Sequence, residues 1–337
     1  MTAAPLVTAE ERALVEKAMR DAVERLDPWT RRIAAYHLGW ADAEGASVTG
    51  GGGKALRPAL ALLSARAAGA PPEAALPGAV AVELVHAFSL LHDDIMDGDR
   101  TRRHRPAAWT VFGSPAAILG GDALMTIALE VLLDAGTPAA HRAAHDLVEA
   151  TRRLIAGQAR DMEFESRDDV SLDECLAMAA DKTGALLACS CAIGATLAGA
   201  PPALVDVLAV FGAELGVAFQ LVDDLLGIWG SPETTGKPVL SDLRARKKSL
   251  PVVAALAAGT AESRRLAELY ARPAPRPEDE LRETARLIEA AGGRSWAETE
   301  AARRLERAEA ELARGRMDDG VRAELRDIAR FVTARDH

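Results

Sequence analysis

Residues 88–106 read FSLLHDDIMDGDRTRRHRP, an apolar run that ends in acids and continues directly into arginines. All the acids precede the bases, whereas a solvated surface would intersperse the two signs. They are Asp93, Asp94, Asp97 and Asp99, followed by Arg100, Arg102, Arg103 and Arg105. A helix places Asp93 and Asp97 on one face, where like charges repel. Gly98 is expected to end this helix, and the macrodipole disfavours anions at that end. The sequence therefore predicts that a cation compensates the acids.

A second pair of acids, Asp223 and Asp224, closes another apolar run just before GIWGSP. Carboxylate ligands with open positions are typical of Mg²⁺, which keeps waters and is often completed by substrate phosphates. A calcium-binding EF-hand is excluded, because the acids lie on helices without the required loop spacing. The alternative of two solvated helix ends would explain either cluster alone, but it explains both together poorly.

Basic residues occur in several short motifs. TGGGGKALRP, residues 49–58, places Lys54 and Arg57 where a helix begins, and a helix N-terminus with two cations suits a diphosphate. The segment is not a P-loop, because Val48 occupies the position of the first glycine. His86 lies seven residues before Asp93 and so on nearly the same helix face. DKTG (181–184) and TGKPVLSDLRARKKSLP (235–251) add further lysines, namely Lys182, Lys237 and Lys247. Taken alone, each could be surface charge, and His86 could be a core residue.

Composition limits the class of protein. The 337 residues are 49% hydrophobic and 27% charged, with a net charge of −10, which argues against a nucleic-acid or anionic-membrane binder. Three cysteines are too few for a disulfide framework and indicate a reducing cytosol. The longest uncharged run, 183–204, is rich in Ala and Gly and broken by two prolines, so we expect no membrane span.

Helical periodicity runs through most of the chain, while strand signals are scarce. Helices are predicted at about 8–26, 29–43, 55–69, 73–97, 115–135, 138–164, 171–199, 202–229, 249–259, 261–271, 278–292, 294–314 and 318–334. No linker is long or polar enough to divide them. We predict one all-α domain over 1–337, with a motif-bearing core at about 45–255 and peripheral charged helices at about 278–334.

The motifs together resemble one family. GGGKALRP, DDIMD followed by RR, DKTG, and FQLVDD followed by GKP are similar, in that order, to the trans-isoprenyl diphosphate synthases, or polyprenyl synthetases. The resemblance covers residues 45–255. It implies an all-α fold whose helices surround a deep apolar cavity, in a homodimer. It also implies the reaction, in which an allylic diphosphate ionises and its carbocation is attacked by isopentenyl diphosphate, with loss of a proton.

The resemblance assigns roles to individual residues. Metal ligands for three Mg²⁺ ions, completed by substrate diphosphate, would be Asp93, Asp94, Asp97, Asp223 and Asp224. The allylic diphosphate would contact Arg102, Lys182, Lys237 and Lys247, and isopentenyl diphosphate would contact Lys54, Arg57, His86 and Arg103. Lys182, Thr183 and Gln220 would lie near the developing cation.

The sequence departs from the family pattern at two positions. Ala55 replaces an arginine of the family pattern, and Gly227 stands where the second acid motif usually ends in Asp.

Phe88 and Ser89, five and four residues before Asp93, would form the floor that limits chain length. One aromatic beside one small residue favours geranylgeranyl diphosphate, with farnesyl or longer products as alternatives. A class I terpene cyclase and a non-catalytic subunit of a hetero-oligomeric synthase are more distant alternatives.

Overall fold

The structure, a computed structural model, describes residues 8–48, 55–231, 239–271 and 277–334. Most of this part of the chain is helical, which confirms the predicted all-α class. The elements are α1 (Ala9–Val23), α2 (Pro28–His37), α3 (Leu56–Ala67), a 3₁₀ turn (Pro72–Ala75), α4 (Leu76–Met96), β1 (Thr101–Arg102), β2 (Arg105–Pro106), α5 (Ala108–Phe112), α6 (Ser114–Leu133), α7 (Pro138–Ser166), α8 (Leu172–Ala179), a π turn (Ala180–Gly184), α9 (Ala185–Leu197), α10 (Pro202–Trp229), α11 (Ser241–Arg244), α12 (Leu250–Ala257), α13 (Ala261–Tyr270), α14 (Glu278–Ala290), α15 (Gly293–Leu312) and α16 (Asp319–Thr333).

The predicted helices agree with the structure except at a few points. The helix expected over 29–43 ends at His37, because Gly39 adopts a left-handed φ of 78° that terminates it. The helix expected over 171–199 is interrupted by the π turn, which separates α8 from α9. The hairpin β1–β2 and the short helices α5 and α11 were not predicted.

The chain divides into two compact units. Unit one comprises residues 1–151, 189–209 and 315–325, and unit two comprises 152–188, 210–314 and 326–337. The single domain therefore stays a prediction, as does the deep cavity.

Unit one is built around α4, which packs on α3 and α6. Glycines allow the close approaches: a Cβ at Gly120 would lie 2.8 Å from Cγ2 of Ile33, and one at Gly194 would lie 2.9 Å from the backbone N of Ala65. Ser64 lies at the same contact, where its Oγ donates to the Ala61 carbonyl at 2.8 Å and accepts from a backbone N–H of α9. On α4 itself, a Cβ at Gly78 would lie 2.9 Å from Cδ1 of Leu197 on α9. Close packing therefore also involves α4, which carries the first acid motif.

Unit two has a core formed by α8, α10, α12 and α15, with side chains such as Leu221, Leu225 and Val253 fully buried. α8 begins with a capping box, in which Ser171 and Glu174 satisfy each other's backbone N–H groups. The charge-laced helix α15 also contributes to this core through Ala297. These contacts fix the π turn and the C-terminal half of α10, which carry the remaining motifs.

Within the described residues, four helical stretches are long and apolar enough to cross a membrane by length and composition alone: Pro72–Met96, Ser114–Leu133, Leu172–Leu197 and Pro202–Trp229. Between 44% and 67% of each apolar window is buried inside the protein. Cys175, Cys189 and Cys191 are free and buried.

Candidate functional site

The first acid motif lies at the C-terminal end of α4, as predicted. Asp97 caps the helix, and Gly98 follows with a left-handed φ of 68°. Asp93 and Asp97 are half-buried, whereas Asp94 is only 1% exposed. Arg102 Nε donates to Asp94 Oδ1 at 2.6 Å, so the arginine that follows the acids in sequence also compensates one of them in space.

Asp94 Oδ2 is buried and has no hydrogen-bond partner in the described part of the chain. Burial, opposed by Arg102, raises the pKa of the Asp94 carboxyl to about 6. A buried carboxylate oxygen without a partner is costly unless a cation or donor reaches it. The donor set of Asp93, Asp94 and Asp97 is all oxygen, and it therefore fits Mg²⁺.

Arg102 and Arg103 are placed by a tight hairpin. β1 pairs with β2 in antiparallel register, Arg102 opposite Arg105, which leaves Arg103 and His104 as the two-residue loop. Both loop residues have positive φ, 51° and 61°. Such a turn normally uses Asn-Gly, so two side-chain-bearing residues here hold local strain.

A charged cluster surrounds His86 in unit one. Burial, followed by the fields of Arg57 and Arg103, lowers the pKa of His86 well below its usual value, so the imidazole is neutral at neutral pH. Glu83, one turn earlier on α4, is half-buried near the same two arginines, and desolvation raises its pKa. The Nε of Arg57 is buried without a hydrogen-bond partner among the described residues. The cluster therefore has a net positive charge and one unsatisfied donor, which is suited to an anion.

Phe88 and Ser89 lie in the core of unit one. The ring of Phe88 meets the ring of His92 edge-on, with centroids 4.9 Å apart. His92 is held in turn by a contact of 3.0 Å between its Nε2 and the Ile118 carbonyl, and a Cβ at Gly121 would collide with its ring. Ser89 Oγ donates to the His86 carbonyl at 2.9 Å. The bulk at this level of α4 thus comes from Phe88, braced by His92.

In unit two, the π turn presents Lys182 and Thr183. Lys182 Nζ donates to Asp161 Oδ2 on α7 at 2.5 Å. π turns within α-helices are frequent at functional sites, because the extra residue redirects side chains. This turn joins α8 to α9 at the DKTG motif.

Thr183 begins a chain of hydrogen bonds. Its Oγ1 donates to Gln220 Oε1 at 2.6 Å, and Gln220 Nε2 donates to Asp224 Oδ1 at 2.7 Å. Asp224 Oδ2 accepts from the backbone N–H of Leu250 at 2.8 Å. Burial, and then the field of Asp242, raises the pKa of the Asp224 carboxyl to about 7. Both Asp224 oxygens are therefore engaged by the protein, whereas Asp223 beside it is exposed.

Of the remaining predicted lysines, Lys54 and Lys237 fall outside the described residues. Lys247 is half-buried, and its backbone N–H donates to the Asp242 carbonyl at 2.9 Å. No three His, Cys, Asp or Glu side chains within 8–48, 55–231, 239–271 and 277–334 come together closely enough to hold a metal alone.

A sequence model described as polyprenyl synthetase matches residues 40–288. The chain belongs to this family. It is a trans-polyprenyl diphosphate synthase, a prenyltransferase that makes short-chain trans-prenyl diphosphates.

Two characterised polyprenyl synthetases illustrate the relationship. The (2E,6E)-farnesyl diphosphate synthase of Mycobacterium tuberculosis (strain ATCC 25618 / H37Rv) is 51% identical over 327 residues, covering 96% of this chain and 90% of that protein. The geranylgeranyl diphosphate synthase of the same organism is 44% identical over 309 residues, covering 89% and 88%.

Two solved polyprenyl synthetase structures are also similar. A polyprenyl synthetase from Streptomyces coelicolor A3(2) has a TM-score of 0.92 and 54% identity, and the match covers 96% of this chain and 98% of that one. A geranylgeranyl pyrophosphate synthase from Corynebacterium glutamicum, complexed with isoprenyl diphosphate and magnesium, has a TM-score of 0.85 and 27% identity, with coverage of 97% and 99%. The magnesium in that structure is consistent with the use of a divalent metal ion by this polyprenyl synthetase.

The Gly227 departure has a structural counterpart. A Cβ at Gly227 would collide with the carboxylate of Asp242, whose Oδ1 would be 2.8 Å away and whose Oδ2 and Cγ would be closer. Ser241 Oγ donates to the Gly227 carbonyl at 3.3 Å, so α11 lies directly on this part of α10. The space that the third acid of the motif would occupy in this polyprenyl synthetase is filled by an acid from α11.

The Ala55 departure lies immediately before α3, where Ala55 adopts a left-handed conformation with φ 49° and ψ 38°. This conformation is unfavourable for an alanine. It turns the chain into α3 directly ahead of Arg57, which lies in the first turn of that helix.

Sequence reasoning missed four residues that lie close to the predicted ones. They are His37 and Glu83 in unit one, and Asp161 and Asp242 in unit two. Glu83 could have been found, since it lies three residues before His86 on the same helix face. Burial, and then the fields of Arg102 and Arg103, lowers the pKa of His37 to about 3. His37, Asp161 and Asp242 reach their partners through tertiary contacts that no local pattern indicates.

Proposed function

We propose that this polyprenyl synthetase condenses isopentenyl diphosphate with an allylic diphosphate. The allylic C–O bond breaks to release diphosphate, and the double bond of isopentenyl diphosphate attacks the resulting carbocation. Loss of one proton then gives a prenyl diphosphate longer by one isoprene unit. The observation that carries the proposal is the end of α4, where a buried carboxylate oxygen of Asp94 lacks a partner beside Arg102.

The proposed metal ligands are Asp93, Asp94 and Asp97 in unit one, and Asp223 with Asp224 in unit two. When bound, three Mg²⁺ ions would act as Lewis acids on the leaving diphosphate. Asp224 accepts hydrogen bonds from Gln220 Nε2 and from the backbone N–H of Leu250, which fix the orientation of its carboxylate. Each of its oxygens keeps a second lone pair for a metal ion.

Basic side chains hold the two diphosphates in this proposal. Arg102 and Lys182, with Lys237 and Lys247, contact the allylic diphosphate and neutralise charge that develops on it. Arg57, His86 and Arg103, with Lys54, contact isopentenyl diphosphate. The positive cluster around neutral His86 and the unsatisfied Nε of Arg57 support this second assignment.

Thr183 and Gln220 face the developing cation in this proposal. The Thr183 hydroxyl donates to Gln220, so its oxygen lone pairs remain oriented away from that bond. An oxygen dipole fixed in this way stabilises positive charge without reorganisation during the reaction. Released diphosphate is the proposed base.

The proposed product is geranylgeranyl diphosphate, with farnesyl diphosphate as the second candidate. Phe88 would close the floor in either case, and the small Ser89 beside it would leave room for a longer chain. Both side chains are buried. The relative named as a farnesyl diphosphate synthase, at 51% identity, favours the second candidate. We further propose a homodimer, as the family resemblance implies, that is cytoplasmic and without a membrane span, as the cysteine content and the composition of the apolar runs indicate.

Product chromatography tests these proposals directly. Purified protein with Mg²⁺ and labelled isopentenyl diphosphate is incubated in turn with dimethylallyl, geranyl and farnesyl diphosphates. Elongation of at least one starter is expected, with a C20 product dominating. Inactivity with all three starters would reject the reaction, whereas a C15 end point would reject only the longer product.

A further inference from the structure

The lysine of the π turn is held by an acid that no motif includes. Lys182 Nζ and Asp161 Oδ2 are 2.5 Å apart, and the two side chains are 19% and 21% exposed. At that exposure, solvent screens the pair less than it would a surface pair. The contact joins α7 to the π turn within unit two.

One face of α7 is shaped to receive this turn. A Cβ at Gly157 would lie 2.7 Å from Cα and 2.8 Å from Cβ of Lys182, so only glycine permits the approach. Arg153 Nε donates to Asp181 Oδ1 at 2.8 Å, and Arg160 donates to Asp181 Oδ2 at 2.6 Å. These α7 residues recur at helical spacing with Asp161 and form one continuous contact face.

We propose that Asp161 is a positioning residue, which orients the Lys182 ammonium toward the allylic diphosphate. This inference rests on the proposed function of Lys182. In this inference Asp161 does not contact the substrate and acts only through Lys182.

The chemistry of the pair supports this role. An ammonium group has three N–H donors, so Lys182 can keep one on Asp161 and still offer two to phosphate oxygens. A lysine side chain has four rotatable bonds and loses considerable conformational freedom when it is fixed. Because the acid fixes the ammonium before substrate arrives, less ordering is needed when diphosphate binds.

Two substitutions of Asp161 test the inference. Asp161→Ala is expected to lower kcat/KM for the allylic diphosphate about 10- to 100-fold, the scale of a misplaced catalytic group. Asp161→Asn keeps an acceptor of the same shape but loses the charge-assisted bond, and its loss should be smaller. KM for isopentenyl diphosphate should stay within about twofold of wild type in both variants, because Lys182 does not contact that substrate in the proposal.

A double-mutant cycle distinguishes positioning from a general structural effect. If Asp161 acts only through Lys182, the double variant Asp161→Ala/Lys182→Ala should be no slower than Lys182→Ala alone. Additive losses would overturn the inference. So would a rise in KM for isopentenyl diphosphate equal to that for the allylic substrate.

Matched controls keep the outcome clear. Asp21→Asn removes the carboxylate of an exposed ion pair with Lys17 on α1, and it should leave both KM values unchanged. Circular dichroism melts of all variants report whether the fold is intact, and Asp161→Asn remains informative if the alanine variant does not fold. An inactive wild type would reject the proposed function, whereas an active wild type with normal Asp161 variants would reject only this inference.

Discussion

Gly227→Asp would restore the acid that usually ends the second motif of polyprenyl synthetases, yet we expect it to harm this protein. The position is already crowded, because a Cβ there would collide with the Asp242 carboxylate. The obstacle is the end of a side chain, so Asp242 would have to move while the backbones of α10 and α11 stay in place. A restored motif would therefore displace an existing acid.

The expected magnitude follows from opposing effects. Replacing a helical glycine by alanine gains about 0.5–1 kcal/mol, whereas forcing extra atoms into a packed site costs about 1–3 kcal/mol. A carboxylate in the last turn of α10 lowers the stability by a further amount of about 0.3–1 kcal/mol, because the helix macrodipole disfavours an anion there. Gly227→Asp should thus destabilise the protein by about 0.3–3.5 kcal/mol, and Gly227→Ala by less.

Thermal melts and urea midpoints of both variants, measured beside turnover with Mg²⁺, give the comparison. Asp242→Ala removes the obstructing carboxylate, so the loss caused by Gly227→Ala should shrink in that background. The coupling energy should be about 0.5–3 kcal/mol, as for residues in contact. Turnover of Gly227→Asp should not exceed that of wild type.

Two results would refute this reasoning. One is a Gly227→Asp variant that is at least as stable and as active as wild type. The other is a Gly227→Ala loss of equal size with and without Asp242, which would show that the carboxylate is not the obstacle.

Further predictions concern the metal, the packing of the π turn and the product. Asp93→Ala should lower turnover about 10²- to 10³-fold with an unchanged melt, and near-normal turnover would show that it is not a ligand. Excess chelator should stop turnover and added Mg²⁺ should restore it; activity that persists in chelator would contradict metal dependence. Gly216→Ala would place a Cβ 2.5 Å from the Gly184 Cα and should destabilise the protein by about 1–3 kcal/mol. Gly184→Ala should cost less stability, because its Cβ would lie 3.4 Å from the nearest neighbouring atom. Equal melting temperatures of the two variants would count against the packing argument. Phe88→Ala should lengthen the product by one or more isoprene units, and an unchanged chain length would remove Phe88 from the floor.

Helix positions could be predicted from the sequence, because apolar periodicity and helix-terminating glycines are local features of the chain. α10 spans Pro202–Trp229 as predicted, and α4 ends where Gly98 indicated. The hairpin after α4 was not predicted, because its loop is Arg103-His104 and lacks the Asn-Gly signal of such turns. Tertiary contacts determined that conformation.

The candidate site could be predicted only in part, because sequence motifs are local whereas the contacts that complete the site are not. Acids and lysines in short motifs were identified, but the partners that hold them lie far along the chain. Asp161 pairs with a lysine 21 residues later, and Asp242 meets Gly227 from another helix. The π turn also escaped prediction, since one extra residue within a helical run leaves the apolar periodicity nearly unchanged.

The left-handed loop at Arg103 and His104 bears on any attempt to make the enzyme more heat-resistant. Exchange of the pair for Asn-Gly would relieve backbone strain of the order of 1–3 kcal/mol per residue and would be an obvious choice for an engineer. It would also delete a guanidinium proposed to bind isopentenyl diphosphate, so tolerance to heat would rise as substrate affinity fell. Exchange of His104 alone offers a compromise, because it relaxes half of the loop and leaves Arg103 in place.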